Sequence, residues 1–441
     1  TTDPTVSNVA ITSATGILNN LLNAGDVVSV TATFSENVLV TNTPQLPLNV
    51  GGTSRTANYT SGSGNTPLVF QYTIQAGETD SDGISIGANV LALNSGTIRD
   101  AAGNNATLTH SAVSANTSYK VDTTAPTANF TKANDNVGTV TGDFTSDNTT
   151  DDTALVLSGT NEAGSSVKVY DNSTELGTAT AADNGTSWSY TATVANGTTY
   201  QFNVRETDLA GNTSAATSNL AVTGDTTAPT TPSVSGTTPT DNTTPTWSWS
   251  AGGGGNGTYR YKLDNSDLTS GATETTSTSY TPGSGISEAS HTLYVQERDA
   301  AGNWSSSGSR AIVIDTTAPT ITSFTSTTSN GSYKSAGEVN ITATASEFVV
   351  ATNTITATLD TSDNVTLTAA DNGTTLVGTY TVSAGDNSTD LTVSSFSIGT
   401  VTDIAGNAMA STTVPGTNIA SGSAIVIDTT APTITSFTST T

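Results

Sequence analysis

Two acidic phrases recur along this chain, and the chemistry they allow is the capture of a hard cation. D-x-A-G-N occurs at 100–104, 208–212, 299–303 and 403–407, and DTTAP at 122–126, 225–229, 315–319 and 428–432. A third acid follows an alternating apolar run in three places: Glu36 after TATFS, Glu162 after LSGTN and Glu347 after TATAS. Carboxylates gathered in one place repel unless a proton or a cation sits among them. Ca²⁺ takes six to eight oxygens at about 2.3–2.6 Å from carboxylates, amide oxygens and backbone carbonyls. D-x-A-G-N offers a carboxylate, backbone oxygens, a Gly for a tight turn and an Asn amide. EF-hand spacing is absent, so any site must be assembled from distant segments.

The segments between these phrases read as β-strands. Val28, Val30, Ala32 and Phe34 alternate with polar residues, as do Val339, Ile341, Ala343 and Ala345, and Tyr200, Phe202 and Val204; period two marks half-buried antiparallel strands. Asn184-Gly185 and Asn372-Gly373 are hairpin-turn dipeptides, and no window carries a sustained helical pattern. The linker aspartates lie 225 − 122 = 103, 315 − 225 = 90 and 428 − 315 = 113 residues apart. The expectation is an all-β chain of tandem immunoglobulin-like sandwiches arranged end to end. The modules are 1–122, 123–225, 226–315 and 316–428, with 429–441 as the first strand of another. Both ends fall in mid-repeat, which reads as an excerpt of a longer array.

In an immunoglobulin strand order the D-x-A-G-N loop lies between the last two strands, and the linker Asp lies where the first strand enters. The acid at the end of the second strand reaches the same end of the module. One calcium ion is therefore expected at each complete joint. Asp122, Glu162 and Asp208 with Asn212 serve the first joint, and Asp315, Glu347 and Asp403 with Asn407 serve the third. The second joint has Asp225, Asp299 and Asn303 but only Ser250-Ala251-Gly252-Gly253 where the others place an acid, so it is expected to be weaker or to borrow Glu297. The first module keeps Glu36 and Asp100. Against this stands the plainer reading that Asp and Gly-Asn here only form turns.

Composition removes other classes. The net charge is −26 from 37 acidic and 11 basic residues, and charged residues make up 11% of the 441, against about 25% in an ordinary soluble domain. Eleven scattered basic residues leave no nucleic-acid footprint, and no apolar run approaches the ~20 residues of a membrane span. With no Cys, disulfides, thiolate metal sites and thiol nucleophiles are excluded. His110 reads as a lone loop residue and His291 as a structural strand residue, so no enzyme activity is expected. Trp188, Trp247, Trp249 and Trp304 read as packing residues. A sugar platform on Trp247, Trp249 and the loop 252–255 is the further alternative.

Through DTTAP and D-x-A-G-N the chain resembles the tandem bacterial Ig-like domains of giant secreted adhesins and biofilm surface proteins. TFSENV at 33–38 and TASEFV at 344–349 look like one subtype, GTNEAGSSVKVY at 159–170 like a second, and TPTWSWSAGGGGNG at 244–257 like a third. The resemblance implies an extracellular extender at a bacterial surface, with calcium at the linkers and a binding domain elsewhere. Its partners would be neighbouring modules of the same chain, and other copies if it polymerises into a filament or surface layer. The adhesion ligand is unspecified.

Overall fold

The computed structural model describes residues 2–181 and 185–438, so Asn184 and residues 439–441 lie outside the described residues. Apart from one four-residue helix, Ile419–Gly422, all the regular structure in the described residues is β. The protein is thus an all-β array of immunoglobulin-like sandwiches. The chain forms two compact units, Thr1–Thr227 with Ala300–Asn303, and Ala228–Asp299 with Trp304–Thr441.

The first unit holds two hydrophobic cores. One lies within Val9 to Val121 and centres on Val28, Val30, Phe70 and Leu68. The period-two residues of Val27–Thr41 make it, because alternate side chains of that strand face inward while its backbone pairs with Val6–Thr15 and Asn65–Thr73 on either side. The second core runs from Ala133 to Val222, between two five-stranded sheets. One sheet is built on Ala154–Thr160, flanked by Asn129–Asp135 and Ser187–Thr193. The other is built on Thr199–Thr207, flanked by Ser166–Asp171 and Leu220–Gly224.

The second unit repeats the plan. Trp247, Trp249, Tyr259, Leu293, Val295, Ile312 and Ile314 form a small core, and a larger one runs from Ile321 to Ile427. Of the Asn372-Gly373 dipeptide, Asn372 ends the turn after Asn364–Thr368 and Gly373 opens Gly373–Thr381, and the two strands pair antiparallel. The strand expected from residue 429 is not formed over 429–438. Ile434 and Phe437 are 75% and 89% exposed, whereas Ile321 and Phe324, at the same places in the identical stretch 312–328, are 6% and 0% exposed. The earlier copy pairs with Glu338–Val349.

Trp247 and Trp249 are 0% and 5% exposed and belong to the core of their sandwich, in keeping with the packing reading; the rings are not open to form a sugar platform. The ring of Trp304 packs under the Arg260 and Arg298 guanidinium groups, 4.3 and 5.4 Å from its centroid. His110 is buried rather than lone. Its Nε2 accepts from Val90 N at 3.0 Å and Leu91 N at 3.4 Å, and Nδ1 lies 2.8 Å from Ser111 O. His110→Phe strands both amides, at about 1–3 kcal/mol for a buried donor left without a partner. Denaturant midpoints for the transition of the first core measure that cost, and an unchanged midpoint contradicts it.

Candidate metal centre

Each linker aspartate turns the chain in the same way. Asp122, Asp225, Asp315 and Asp428 accept, through Oδ1, the backbone N–H of Thr124, Thr227, Thr317 and Thr430 at 2.9–3.1 Å. This is an Asx turn, and it leaves Oδ2 of each aspartate uncommitted within the turn. The threonines fasten the linker back to the module it leaves. Thr123 Oγ1 donates to Glu78 O, Thr429 Oγ1 donates to Asp386 O, and Asn196 Nδ2 donates to Thr227 Oγ1.

The D-x-A-G-N loop closes on itself. Asp208 Oδ1 accepts from Ala210 N and Asn212 N, and Asp403 Oδ1 from Gly406 N and Asn407 N, all at 2.7–2.9 Å. Gly211 and Gly406 supply the left-handed turn residue, with φ of 92° and 110°. Asp100 is closed in the same way by Asn104, whose hydrogen bonds hold its carboxyl below the ordinary carboxylate range. The asparagines were expected to offer oxygens; the amide nitrogens act instead. Asn212 Nδ2 donates to Asp208 Oδ2 and to Asp122 O, each at 2.9 Å, and Asn407 Nδ2 donates to Asp403 Oδ2 and Asp315 O, each at 2.8 Å. Asn303 Nδ2 likewise donates to Asp225 O at 2.8 Å. The asparagine is a clasp from loop to linker, because the Asx-closed loop turns the amide N–H groups toward the linker carbonyl.

The third acid was expected at the end of its strand. For Glu162 that holds, two residues beyond Ala154–Thr160. Glu36 and Glu347 instead lie inside Val27–Thr41 and Glu338–Val349, at register shifts between Thr33 and Val38 and between Thr344 and Val349. A bulge re-aims side chains, so the strand continues while the acid turns out of the ladder.

In the second unit, ligand oxygens of Asp315, Glu347 and Asp403 lie within 4.8 Å of one another. Among the described residues no other set of three acidic or histidine side chains converges as closely. Burial, then the charges of Asp315, Asp403 and Glu288, push the Glu347 carboxyl above its ordinary value. In the first unit, burial and then the charges of Asp208, Asp122 and Glu206 do the same to Glu162. Glu162 is exposed and Glu347 half-buried, so solvent screens the first more. Asp225 and Asp299 belong to different units and are described separately. Asp299 is buried, and its carbonyl accepts from Asn256 Nδ2 at 2.8 Å.

A buried glutamate completes the picture and was missed at Glu206. Its side chain is 0% exposed; Oε1 accepts from Glu162 N at 2.6 Å and Ser165 Oγ at 2.5 Å, and Oε2 has no partner. Glu297 matches it at 1% exposed, again with Oε2 unpartnered. The backbone at Gly255 lies against Glu297, where an added Cβ would come within 2.1 Å of the carboxyl carbon. Gly253 O accepts from Thr230 N at 3.0 Å, so in this module a glycine loop covers the carboxylate where the other modules place an acid. The pattern was legible: Glu206 and Glu297 continue the inward parity of Phe202 and Val204, and of Leu293 and Val295. Ile98 and Val401 hold that place in the other two modules.

The donor set suits calcium. At Asp315, Glu347 and Asp403 it consists of carboxylate oxygens with no thiolate or imidazole and brings like charges together; the unpartnered buried oxygens of Glu206 and Glu297 lie in other modules and are costly unless a cation or proton meets them. A raised carboxyl stabilises in its protonated form, fully below its ordinary value of 4.5 and progressively less as pH rises through the raised value. Without calcium, wild type is therefore expected to lose stability relative to Glu347→Gln as pH rises from about 4 to 7, and calcium should erase that slope. Urea midpoints of both proteins, with and without chelator, measure it. A cation-free difference that runs the other way contradicts the assignment.

The family model described as a bacterial Ig-like domain matches residues 122–226. No curated protein matches the sequence. Solved structures that resemble the chain include fibronectin(III)-like modules of Clostridium thermocellum CbhA, at 16% identity over 38% of this chain and 90% of that one, with TM-score 0.25. A putative membrane anchored protein from Corynebacterium diphtheriae shares 10% identity over 69% of this chain and 89% of its own, with TM-score 0.20. The stretch that resembles a bacterial Ig-like domain, 122–226, is thus the one that carries the Asp122, Glu162, Glu206 and Asp208 carboxylates.

Proposed function

We propose that this chain is a non-enzymatic extender segment of a bacterial extracellular adhesin or surface fibre, whose joints are stiffened by calcium. The observation that carries the reading is the meeting of Asp315, Glu347 and Asp403, three acids from a linker, a strand bulge and a D-x-A-G-N loop. Four modules, 1–122, 123–225, 226–315 and 316–428, would supply length, and neighbouring modules of the same chain are the immediate partners. The linkers are already restrained by Pro, by the Asx turn and by the Asn clasp. With calcium at ten times a Kd of about 10⁻⁴–10⁻³ M, each site adds roughly 1.4 kcal/mol to the closed joint, which biases a hinge without locking it.

Asp208 and Asp403 hold their own loops together, so replacing them confuses ligand loss with loop collapse. Glu162 and Glu347 are cleaner, since their carboxylates have no hydrogen-bond partner among the described residues. Glu162→Gln combined with Glu347→Gln is expected to lower bound calcium by about two ions per chain. Chelation of the wild type should broaden its small-angle scattering profile toward greater flexibility. Unchanged stoichiometry together with an unchanged profile would remove calcium from the reading.

A second reading is self-assembly of copies of this chain into a filament or surface layer. Electron microscopy separates the two: ordered polymers support assembly and isolated rods the extender.

A further inference from the structure

His291 joins two loops of the second unit, and one of them holds a linker. The imidazole lies on Ala289–Arg298 with its side chain 13% exposed. Its Nδ1 is 2.6 Å from Asp264 Oδ2, and its Nε2 is 3.0 Å from Ser287 O and 3.4 Å from Ser287 Oγ. Asp264, His291 and Ser287 have the residue types of a nucleophilic triad, but Nε2 lies nearer the carbonyl than the hydroxyl. Both ring nitrogens thus face oxygen acceptors, and only the imidazolium donates from both. Asp264 is fixed independently, since its Oδ1 accepts from Thr292 N at 2.7 Å and its N donates to Thr292 O at 2.7 Å. The side of the bridge free to respond is therefore Ser287.

The next residue carries the effect onward. Glu288 Oε2 accepts from Thr316 Oγ1 at 2.6 Å and Oε1 from Thr317 Oγ1 at 2.9 Å. Thr317 N in turn donates to Asp315 Oδ1 at 3.1 Å, and Asp315 is one of the three convergent acids. An unbroken series of contacts runs from the imidazole through Ser287 and Glu288 to Thr316, Thr317 and Asp315.

We propose that His291 is a proton-operated latch on the linker 315–319. The imidazolium holds the Ser287 carbonyl and so keeps Glu288 on Thr316 and Thr317, while the neutral ring repels that carbonyl, takes the Ser287 hydroxyl instead and loosens the hold. The two states differ only in which oxygen of one residue the ring binds, which makes the turn a two-position element. The inference rests on reading 315–319 as the joint linker and not on calcium.

The groups around the ring agree with this. Asp264 faces it from the turn after Thr258–Leu263, and Glu288 stands beside Ser287. Lys262 is turned to Asp267 O and Ser270 O, Arg310 to Gly236 O, and the residue paired with His291 on Gly308–Ile314 is Ile312. The Asp264 hydrogen bond therefore dominates and raises the titration of His291 above its ordinary 6.5. With that sign, the latch is closed below 6.5 and opens as pH rises through the raised value.

The test is a pH titration of the full chain in chelator, following the His291 ring and the Thr316 and Thr317 amides by NMR. Wild type should show both linker amides shifting with the same midpoint as the ring, above 6.5. His291→Gln should leave the amides flat between pH 6 and 9. Glu288→Ala should leave the ring titrating while the amides no longer follow it, which keeps the test decisive if His291→Gln fails to fold. Linker amides that ignore the ring midpoint in wild type, or that titrate unchanged in His291→Gln, overturn the latch. Because calcium is absent throughout, this outcome is independent of the calcium measurements above.

Discussion

Glu206→Gln is expected to weaken the calcium response proposed for residues 123–225 about tenfold or more while leaving the cation-free fold intact. The substitution keeps an oxygen where Oε1 accepts from Glu162 N and Ser165 Oγ, so the loop carrying Glu162 stays anchored. It removes the negative charge from a fully buried side chain whose other oxygen has no partner. An unpaired buried charge is a cost to the cation-free fold, so the Gln variant should be at least as stable as wild type in chelator. In calcium the order is expected to reverse, because Glu206 Oε2 would supply a ligand oxygen that the variant lacks. The expected effect is a loss of about tenfold or more in calcium affinity, equivalent to roughly 1.4 kcal/mol, read by calorimetry and by the calcium-induced rise in melting temperature. A variant less stable than wild type in chelator and equally responsive to calcium would make Glu206 a structural hydrogen-bond acceptor only.

Trp247→Ala is expected to cost about 3–5 kcal/mol, the usual range for deleting a buried aromatic side chain. The ring is 0% exposed, its Nε1 donates to Arg310 O at 2.9 Å, and it packs against Tyr280 with centroids 6.1 Å apart. Its core has only seven buried hydrophobic residues, so few neighbours can collapse into the space. Set against a typical domain stability of about 5–15 kcal/mol, the loss should separate the melting of this sandwich from that of the others. Differential scanning calorimetry should resolve an early transition, and a shift below about 1 kcal/mol would show that the core repacks.

The fold was largely legible because strands with one wet face carry their register in plain alternation. Val28 to Phe34 and Val339 to Ala345 read correctly on that ground alone. The repeated phrases marked loops and linkers, since Asp, Gly and Asn have few other uses in such a pattern. The bulges at Glu36 and Glu347 were hidden: the residue types of TFSEN and TASEF continue a strand or end it equally well, and cross-strand pairing decides between them. The asparagine roles were hidden as well, because an amide offers both a donor and an acceptor and only the closed loop determines which faces the linker. Glu206 and Glu297 sat in view on the inward parity of their strands, where a charged residue is a signal in itself.

The repeated Asx turn has a consequence for how such a protein changes over generations. Every module leaves through the same Asp-Thr-Thr geometry, and the stretches 312–328 and 425–441 are identical. A duplication or deletion of coding sequence that begins and ends within this phrase returns a chain in which every exit keeps its turn. Under the proposed extender function, the number of such segments could grow or shrink by recombination without the turn being redesigned, and reach would be a heritable quantity adjustable in whole steps.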